Sequence, residues 1–263
     1  MLLLLKQHRL EINVNKCLFL RVKLDYLGYT LSPSDVTLSE RHIQVIKNFP
    51  RPKKIVEVQR FLGLTNFVRR FILNYANIAK SLQDLLRKSS DFVFDQKCLD
   101  AFETLKKALI SRPVLQIYNP NALTELHTDA SSIALAAILL QKQDSGQWAP
   151  ISYFSQATNK AEAQYHSYEL EMLAVVKSIE RFHIYLYGLH FTVVTDCHAV
   201  TYAVHKAQLN PRIARWTLRL QTYRFNIVHR EGKKMAHVDA LSRIVAYHEP
   251  VSGISIAISS ITR

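Results

Sequence analysis

Cysteine is scarce in this chain. Cys17, Cys98 and Cys197 are the three present in 263 residues, far apart and odd in number. They make neither a disulfide framework nor a zinc-ligand spacing, so a reducing compartment is expected. Six glycines and eight prolines are too few for a low-complexity or collagen-like chain. Long apolar runs are missing as well. The run Ile133 to Leu140 falls far short of the ~20 residues that cross a bilayer, so no membrane partner is expected. Met1-Leu2-Leu3-Leu4-Leu5 is broken by Lys6, too early for the apolar region of a signal peptide. It reads as the apolar side of a helix whose beginning is missing. Acidic residues are outnumbered, 21 against 34 Lys and Arg, which leaves a formal charge of +13.

What is present fits a globular chain with a real core: 48% of residues are hydrophobic and 21% charged. The length allows two domains or one large one. The positive excess points to a polyanionic partner, although a basic surface also serves solubility. Its distribution is uneven. Residues 36 to 112 hold 15 Lys and Arg against 7 Asp and Glu, whereas residues 121 to 245 hold 13 against 10. The first of these segments reads as a polyanion clamp and the second as the place where chemistry occurs.

Residues 1 to 31 read as a helix end followed by strands, at Cys17 to Leu20 and around Tyr26 to Tyr29, with Gly28 allowing a turn. Ser32-Pro33-Ser34-Asp35 is a turn cluster and an expected boundary. Residues 39 to 112 read as helical. Ser39 can cap the first helix, Pro50 and Pro52 end it, Val56 to Asn74 carries apolar residues at a period near 3.6, and Asp95 to Ser111 repeats the pattern. Arg60, Arg69 and Arg70 lie among aromatics there, and Arg69 and Arg70 are candidate phosphate contacts. From residue 114 the period changes. Glu125 to Ser131, Ile133 to Gln141, Ile151 to Ser155, Phe191 to Asp196 and Tyr223 to Arg230 read as five strands. A helix is expected from about Glu162 to Tyr185, and a short one around His237 to Arg243. This order predicts an α/β fold, a mixed five-stranded sheet with flanking helices and parallel pairing of the later strands. The stretch after Ile244 has no clear periodicity.

Four acids have similar settings. Asp129 lies between two strand-like runs, in Thr128-Asp129-Ala130-Ser131. Glu171 is on the long helix, Asp196 ends a strand, and Asp239 opens the last helix. Any one of them alone is an ordinary surface charge or helix cap. Converging together, they would repel each other without a cation. Two Mg²⁺ ions remove that cost and suit phosphodiester cleavage, with Asp129 bridging both and Glu171, Asp196 and Asp239 outside; Mn²⁺ is the alternative ion.

The flanking sequence sharpens this. Thr128-Asp129-Ala130-Ser131, Tyr168-Glu169-Leu170-Glu171-Met172-Leu173-Ala174, Tyr185-Leu186-Tyr187-Gly188, Thr195-Asp196 and Asp239-Ala240-Leu241-Ser242-Arg243 resemble the ribonuclease H domain of Ty3/gypsy-type retrotransposon reverse transcriptases. Tyr26-Leu27-Gly28, Phe49-Pro50-Arg51-Pro52, Phe61-Leu62-Gly63-Leu64, Arg69-Arg70-Phe71 and Pro113-Val114-Leu115 resemble the preceding palm end and thumb. The match runs in family order over about residues 10 to 244. The resemblance implies a palm remnant over 1–35, a mainly helical thumb-like domain over 36–113, a ribonuclease H-like domain over 114–245 and a tail over 246–263. It implies Mg²⁺-dependent hydrolysis of the RNA strand of RNA–DNA hybrids, in a cytoplasmic retroelement particle or the nucleus. Glu171 takes the family's acidic position, which leaves Glu169 as a helix-surface residue. His229, ten residues before Asp239, is a candidate for proton transfer or product release. Arg212, Arg215 and Arg219 with Trp216 are a candidate aromatic and basic strip along the hybrid, although Trp216 equally suits a core.

The chain departs from the family where glycines are usual and Ala134 and Ala136 stand, which is expected to cost stability. No Tyr-x-Asp-Asp run occurs, so this chain alone is not expected to polymerise DNA. Nor is there a His/Cys zinc array. Two other roles fit these departures: a nucleic-acid-binding remnant without turnover, and a subunit that pairs with an intact reverse transcriptase.

Overall fold

The change of period near residue 114 corresponds to two hydrophobic cores. The computed structural model describes residues 2–9, 11–13, 17–87, 92–111, 114–203 and 210–230. Its first element is a short helix, α1 (Leu2–Gln7). The first core lies among α2 (Glu40–Lys47), α3 (Ile55–Phe67), α4 (Tyr75–Ile78), α5 (Lys80–Asp84) and α6 (Gln96–Ile110). Ser39 stands at the N-cap of α2 without a side-chain capping bond, whereas Asp95 caps α6 by accepting from the Cys98 amide at 2.9 Å. The i, i+3, i+4 apolar positions of these helices close over Ile46, Phe61, Tyr75, Phe102 and Leu105, all 1% exposed or less. Phe61 and Phe102 meet at a tilt, 4.5 Å between centroids, with Phe49 and Phe94 around them.

A small antiparallel sheet closes this unit, formed by β1 (Leu24–Tyr26), β2 (Tyr29–Leu31), β3 (Asp35–Leu38) and β4 (Leu115–Gln116) in that spatial order. Gly28 turns the chain between β1 and β2 at φ +83°, and a Cβ there would lie 2.5 Å from the His42 ring. Three expectations are corrected here. Cys17 to Leu20 forms no strand and its side chains are largely exposed. The turn at Ser32–Asp35 is no boundary: it joins β2 to β3, with the Ser32 amide bonded to the Asp35 carbonyl at 2.9 Å. Leu115 belongs to the helical core, so that unit extends past residue 113.

The second unit is a five-stranded sheet of order β7-β6-β5-β8-β9. Its strands are β5 (Thr124–Ala130), β6 (Ala134–Lys142), β7 (Trp148–Ala157), β8 (His190–Thr195) and β9 (Arg224–His229). β5, β6 and β7 are antiparallel neighbours, while β5–β8 and β8–β9 are parallel, because helical crossovers return the chain to the same sheet end. The crossovers contain α7 (Ser167–Arg181), α8 (His183–Leu186), α9 (His198–Ala203) and α10 (Pro211–Leu220). The single helix expected over 162–185 is divided. Glu162–Gln164 is a separate 3₁₀ turn and His166 is extended, which starts α7 afresh. Trp216 is a core residue, 9% exposed.

Every β6 residue from Ala134 to Gln141 is buried, so both faces of the sheet are covered. Leu135, Ala137 and Leu139 pack with the α7 core; Ala136, Ile138 and Leu140 form a second cluster with Val194, and Leu73 of the helical unit packs on it. Ser155 of β7 pins the two units together. Its Oγ accepts from the Ala76 amide at 3.1 Å and its carbonyl accepts from the Arg69 guanidinium. Arg69 also lies over the Tyr75 ring at 5.1 Å. Against the expectation that Arg69 contacts phosphate, its half-buried guanidinium is engaged within the protein, by Asn66 at 3.1 Å and by the Ser155 carbonyl. Ser155→Ala leaves the buried Ala76 amide without its acceptor and is expected to cost about 1–3 kcal/mol in urea unfolding; an unchanged midpoint would mean that this bond does not hold the units together.

Candidate active site

Asp129 lies near the end of β5, 4% exposed, opposite Ala136 of β6. Glu171 is buried on α7, where Glu169 to Val176 are all buried. Its Oε1 accepts from the Ala130 amide at 3.3 Å, which ties the helix to the strand end beside Asp129. Asp196 follows β8, the parallel neighbour of β5, and is half-buried. One carboxylate oxygen from each of the three lies within 4.8 Å of the others. At an effective dielectric of about 20, each such pair repels by roughly 3–4 kcal/mol when ionised. Three pairs approach the whole stability of a domain. The donor set is all oxygen, which suits hard divalent ions such as Mg²⁺ or Mn²⁺ rather than copper or zinc. Burial pushes the neighbouring Cys197 thiol up.

The other expected residues distribute unevenly. Asp239, the short helix around it and the 246–263 tail lie outside the described residues. His229 ends β9 beside the cluster; it is exposed, with Nε2 3.1 Å from the Asp196 carbonyl and its ring edge-on to His198. Glu169 is corrected from a surface residue to a buried one: it caps α7 reciprocally with His166 and accepts from Asn210 and Arg212 at 3.1 Å each. Arg212 is thus engaged, and it lies 4.0 Å over the Tyr165 ring. Arg219 pairs with Glu180. The expected strip along α10 is for these two arginines a clamp of α10 on α7, because carboxylates of α7 face them. Arg215 keeps an exposed side chain, its Nε bonded to Pro211 of its own helix. Arg70 is half-buried over Tyr29 and Phe71. Ala134 and Ala136 are fully buried in regular pairing; the register irregularity of β6 falls later, between Leu139 and Leu140.

A polar cluster went unnoticed in the sequence. Glu125 accepts from both terminal nitrogens of Arg230, at 3.2 and 3.3 Å, and lies 2.6 Å from His127 Nε2. Burial raises the Glu125 carboxyl, but hydrogen bonds from His127 and Arg230 outweigh it and leave the group below its ordinary value. The signal was available: Glu125, His127 and Asp129 alternate on one face of a strand.

Residues 94–193 match the family profile described as the RNase H-like domain found in reverse transcriptase. The chain is 34% identical over 252 residues to the Retrovirus-related Pol polyprotein from transposon opus of Drosophila melanogaster, covering 91% of this chain and 25% of that protein. It is 34% identical over 251 residues to the Transposon Tf2-3 polyprotein of Schizosaccharomyces pombe, covering 94% of this chain and 19% of that protein. It thus spans about a quarter or less of these curated relatives. Among solved structures, the foamy viral protease-reverse transcriptase in complex with RNA/DNA hybrid superposes with a TM-score of 0.73 at 19% identity, over 91% of this chain and 32% of that one. Its dRH form in complex with ds DNA gives 0.68 at 21%, over 80% and 38%. The fold is therefore that of the reverse transcriptase and RNase H class. The chain carries an RNase H-like domain, and its homologues are Pol polyproteins of Ty3/gypsy-type transposons.

Two outcomes follow from the electrostatics. Asp129→Asn removes one of three mutually repelling charges, so it is expected to raise the metal-free melting temperature and to abolish the rise that Mg²⁺ produces in the parental chain. A Mg²⁺ response equal in both proteins would place the ion elsewhere. The lowered Glu125 group contributes stability that is complete above the ordinary carboxylate range and is lost as pH falls through its folded value. Unfolding free energy of Glu125→Gln should converge on the parental value in acid, and a gap that persists unchanged would count against the ionised pairing.

Proposed function

We propose that this chain hydrolyses the RNA strand of RNA–DNA hybrids, with Asp129, Glu171, Asp196 and Asp239 as the ligands of two Mg²⁺ ions. The supporting observation is the convergence of Asp129, Glu171 and Asp196 from β5, α7 and the end of β8 within 4.8 Å. No other grouping of three or more His, Cys, Asp and Glu among the described residues has comparable geometry. The hybrid as substrate is supported by the likeness in fold to a reverse transcriptase solved with RNA/DNA hybrid.

Divalent cations, when bound there, lower the pKa of an attacking water and offset the charge that develops on the phosphate. The protein's own residues do the remaining work. Asp129, Glu171 and Asp196 would hold the ions, and the Ala130 amide holds Glu171 against the strand end. With Nε2 of His229 donating to the Asp196 carbonyl, Nδ1 is left to accept or pass a proton at the rim. Contact with the hybrid is by phosphate charge and A-like shape rather than base sequence, and the exposed Arg215 is placed for the former.

The deciding assay is cleavage of labelled RNA–DNA hybrid with Mg²⁺ against chelator. Cleavage by the parental chain is expected, lost in Asp129→Asn and Asp196→Asn while hybrid affinity stays within about twofold, since catalysis and phosphate contact rest on different residues. Glu169→Gln is expected to cut at the parental rate, at a stability cost of about 1–3 kcal/mol because a buried carboxylate that meets Arg212 and Asn210 loses its charge. An active Asp129→Asn protein removes the cluster from the active site, and an inactive parental protein leaves a binding module.

A further inference from the structure

The Glu125, His127 and Arg230 cluster is not used by the proposed chemistry, yet it is built with care. Glu125 and His127 precede Asp129 on the same strand and, by the two-residue alternation, share its face of the sheet. Their side chains are 13% and 2% exposed. Arg230 immediately follows β9, which is separated from β5 by β8. Its guanidinium therefore crosses β8 to reach Glu125, and both fork nitrogens are used. Its own amide donates to the Thr195 carbonyl at 3.0 Å, directly before Asp196. The residue before it, His229, is bonded to the Asp196 carbonyl.

A single residue thus joins three strands: Arg230, directly after β9, meets β5 through its side chain and β8 through its amide. A bidentate arginine–carboxylate pair fixes orientation as well as distance, which a lysine does not. Loss of Arg230 would leave the Glu125 carboxylate, 13% exposed, with His127 as its remaining side-chain partner. The outer strand β9 is at the sheet edge, with only β8 beside it among the described residues. Without a second tether its end is the part of the site most free to shift.

We propose that Glu125 and Arg230 are positioning residues: the fork fixes the end of β9 against β5, and so sets His229 and the Asp196 main chain relative to Asp129. This rests on the hydrolytic reading for its effect on turnover, but not for its effect on structure or on metal binding.

The test uses the full chain and the variants Arg230→Met, Arg230→Lys and Glu125→Gln. In NMR amide exchange, residue 230 is expected to lose protection in Arg230→Met and Glu125→Gln, while the β5–β6 amides keep theirs. Mn²⁺ titration followed by its EPR signal should show affinity lowered by about tenfold or more, the usual size for a residue that orients metal ligands. On hybrid, kcat should fall by a similar factor with KM nearly constant, and Arg230→Lys should lie between parental and Arg230→Met. Unchanged exchange and Mn²⁺ affinity would overturn the proposal. So would a salt-dependent rise in KM with kcat intact, which would make Arg230 a phosphate contact. If Arg230→Met fails to fold, Glu125→Gln, which preserves shape, decides alone. If the parental chain binds Mn²⁺ but never cuts hybrid, the hydrolytic reading fails, and exchange and Mn²⁺ affinity still settle the tether.

Discussion

Repulsion among Asp129, Glu171 and Asp196 is the constraint around which the sheet unit is arranged. Their oxygens lie within 4.8 Å of one another, two of the three residues being buried. Such an arrangement persists only if each carboxylate is held from its own side. Asp129 is held by a strand paired on both edges, with β6 and β8. Glu171 is held by a helix whose neighbouring residues are packed into the main core and whose carboxylate meets the Ala130 amide. Asp196 is held by the parallel strand next to Asp129. The rest of the sheet supplies rigidity against a force that would otherwise open the site.

That rigidity comes from covering the sheet twice. α7 covers one face, and the helical unit lays Leu73 over the other, where Tyr153 of β7 packs against the helical core. Arg69 illustrates the exchange of roles. Its place among aromatics made it resemble a phosphate contact, but desolvation lowers its pKa and its guanidinium donates a hydrogen bond to the Ser155 carbonyl. Arg212 and Arg219 likewise meet acids of α7. The acids of these pairs are already counted in the net charge of +13, so the excess resides on other Lys and Arg side chains.

The two alanines where the family usually has glycine illustrate the same point from the apolar side. Ala136 lies opposite Asp129, and its methyl group packs with Ile138, Leu140 and Val194. A residue without a side chain would leave that cluster less filled. The expected cost of the replacement is thus countered by contacts within the sheet, over which Leu73 of the helical unit packs.

The sequence by itself determined the five strands, the order in which helices separate them, and the identity of Asp129, Glu171 and Asp196 as a set. Alternation of period two, apolar runs and short motifs are local properties, so they are legible without coordinates. It left Trp216 open between a core position and a strip along the hybrid, which burial decided for the core. Tertiary structure alone decided which charges meet. Glu169 and Glu171 are two residues apart with similar neighbours, yet one turns to Arg212 and Asn210 and the other to the strand end, because α7 presents them to different elements. Glu125 and Arg230 are 105 residues apart and become partners only once β8 has been inserted between their strands. Pairings of that kind depend on strand order and register, which no window of sequence contains.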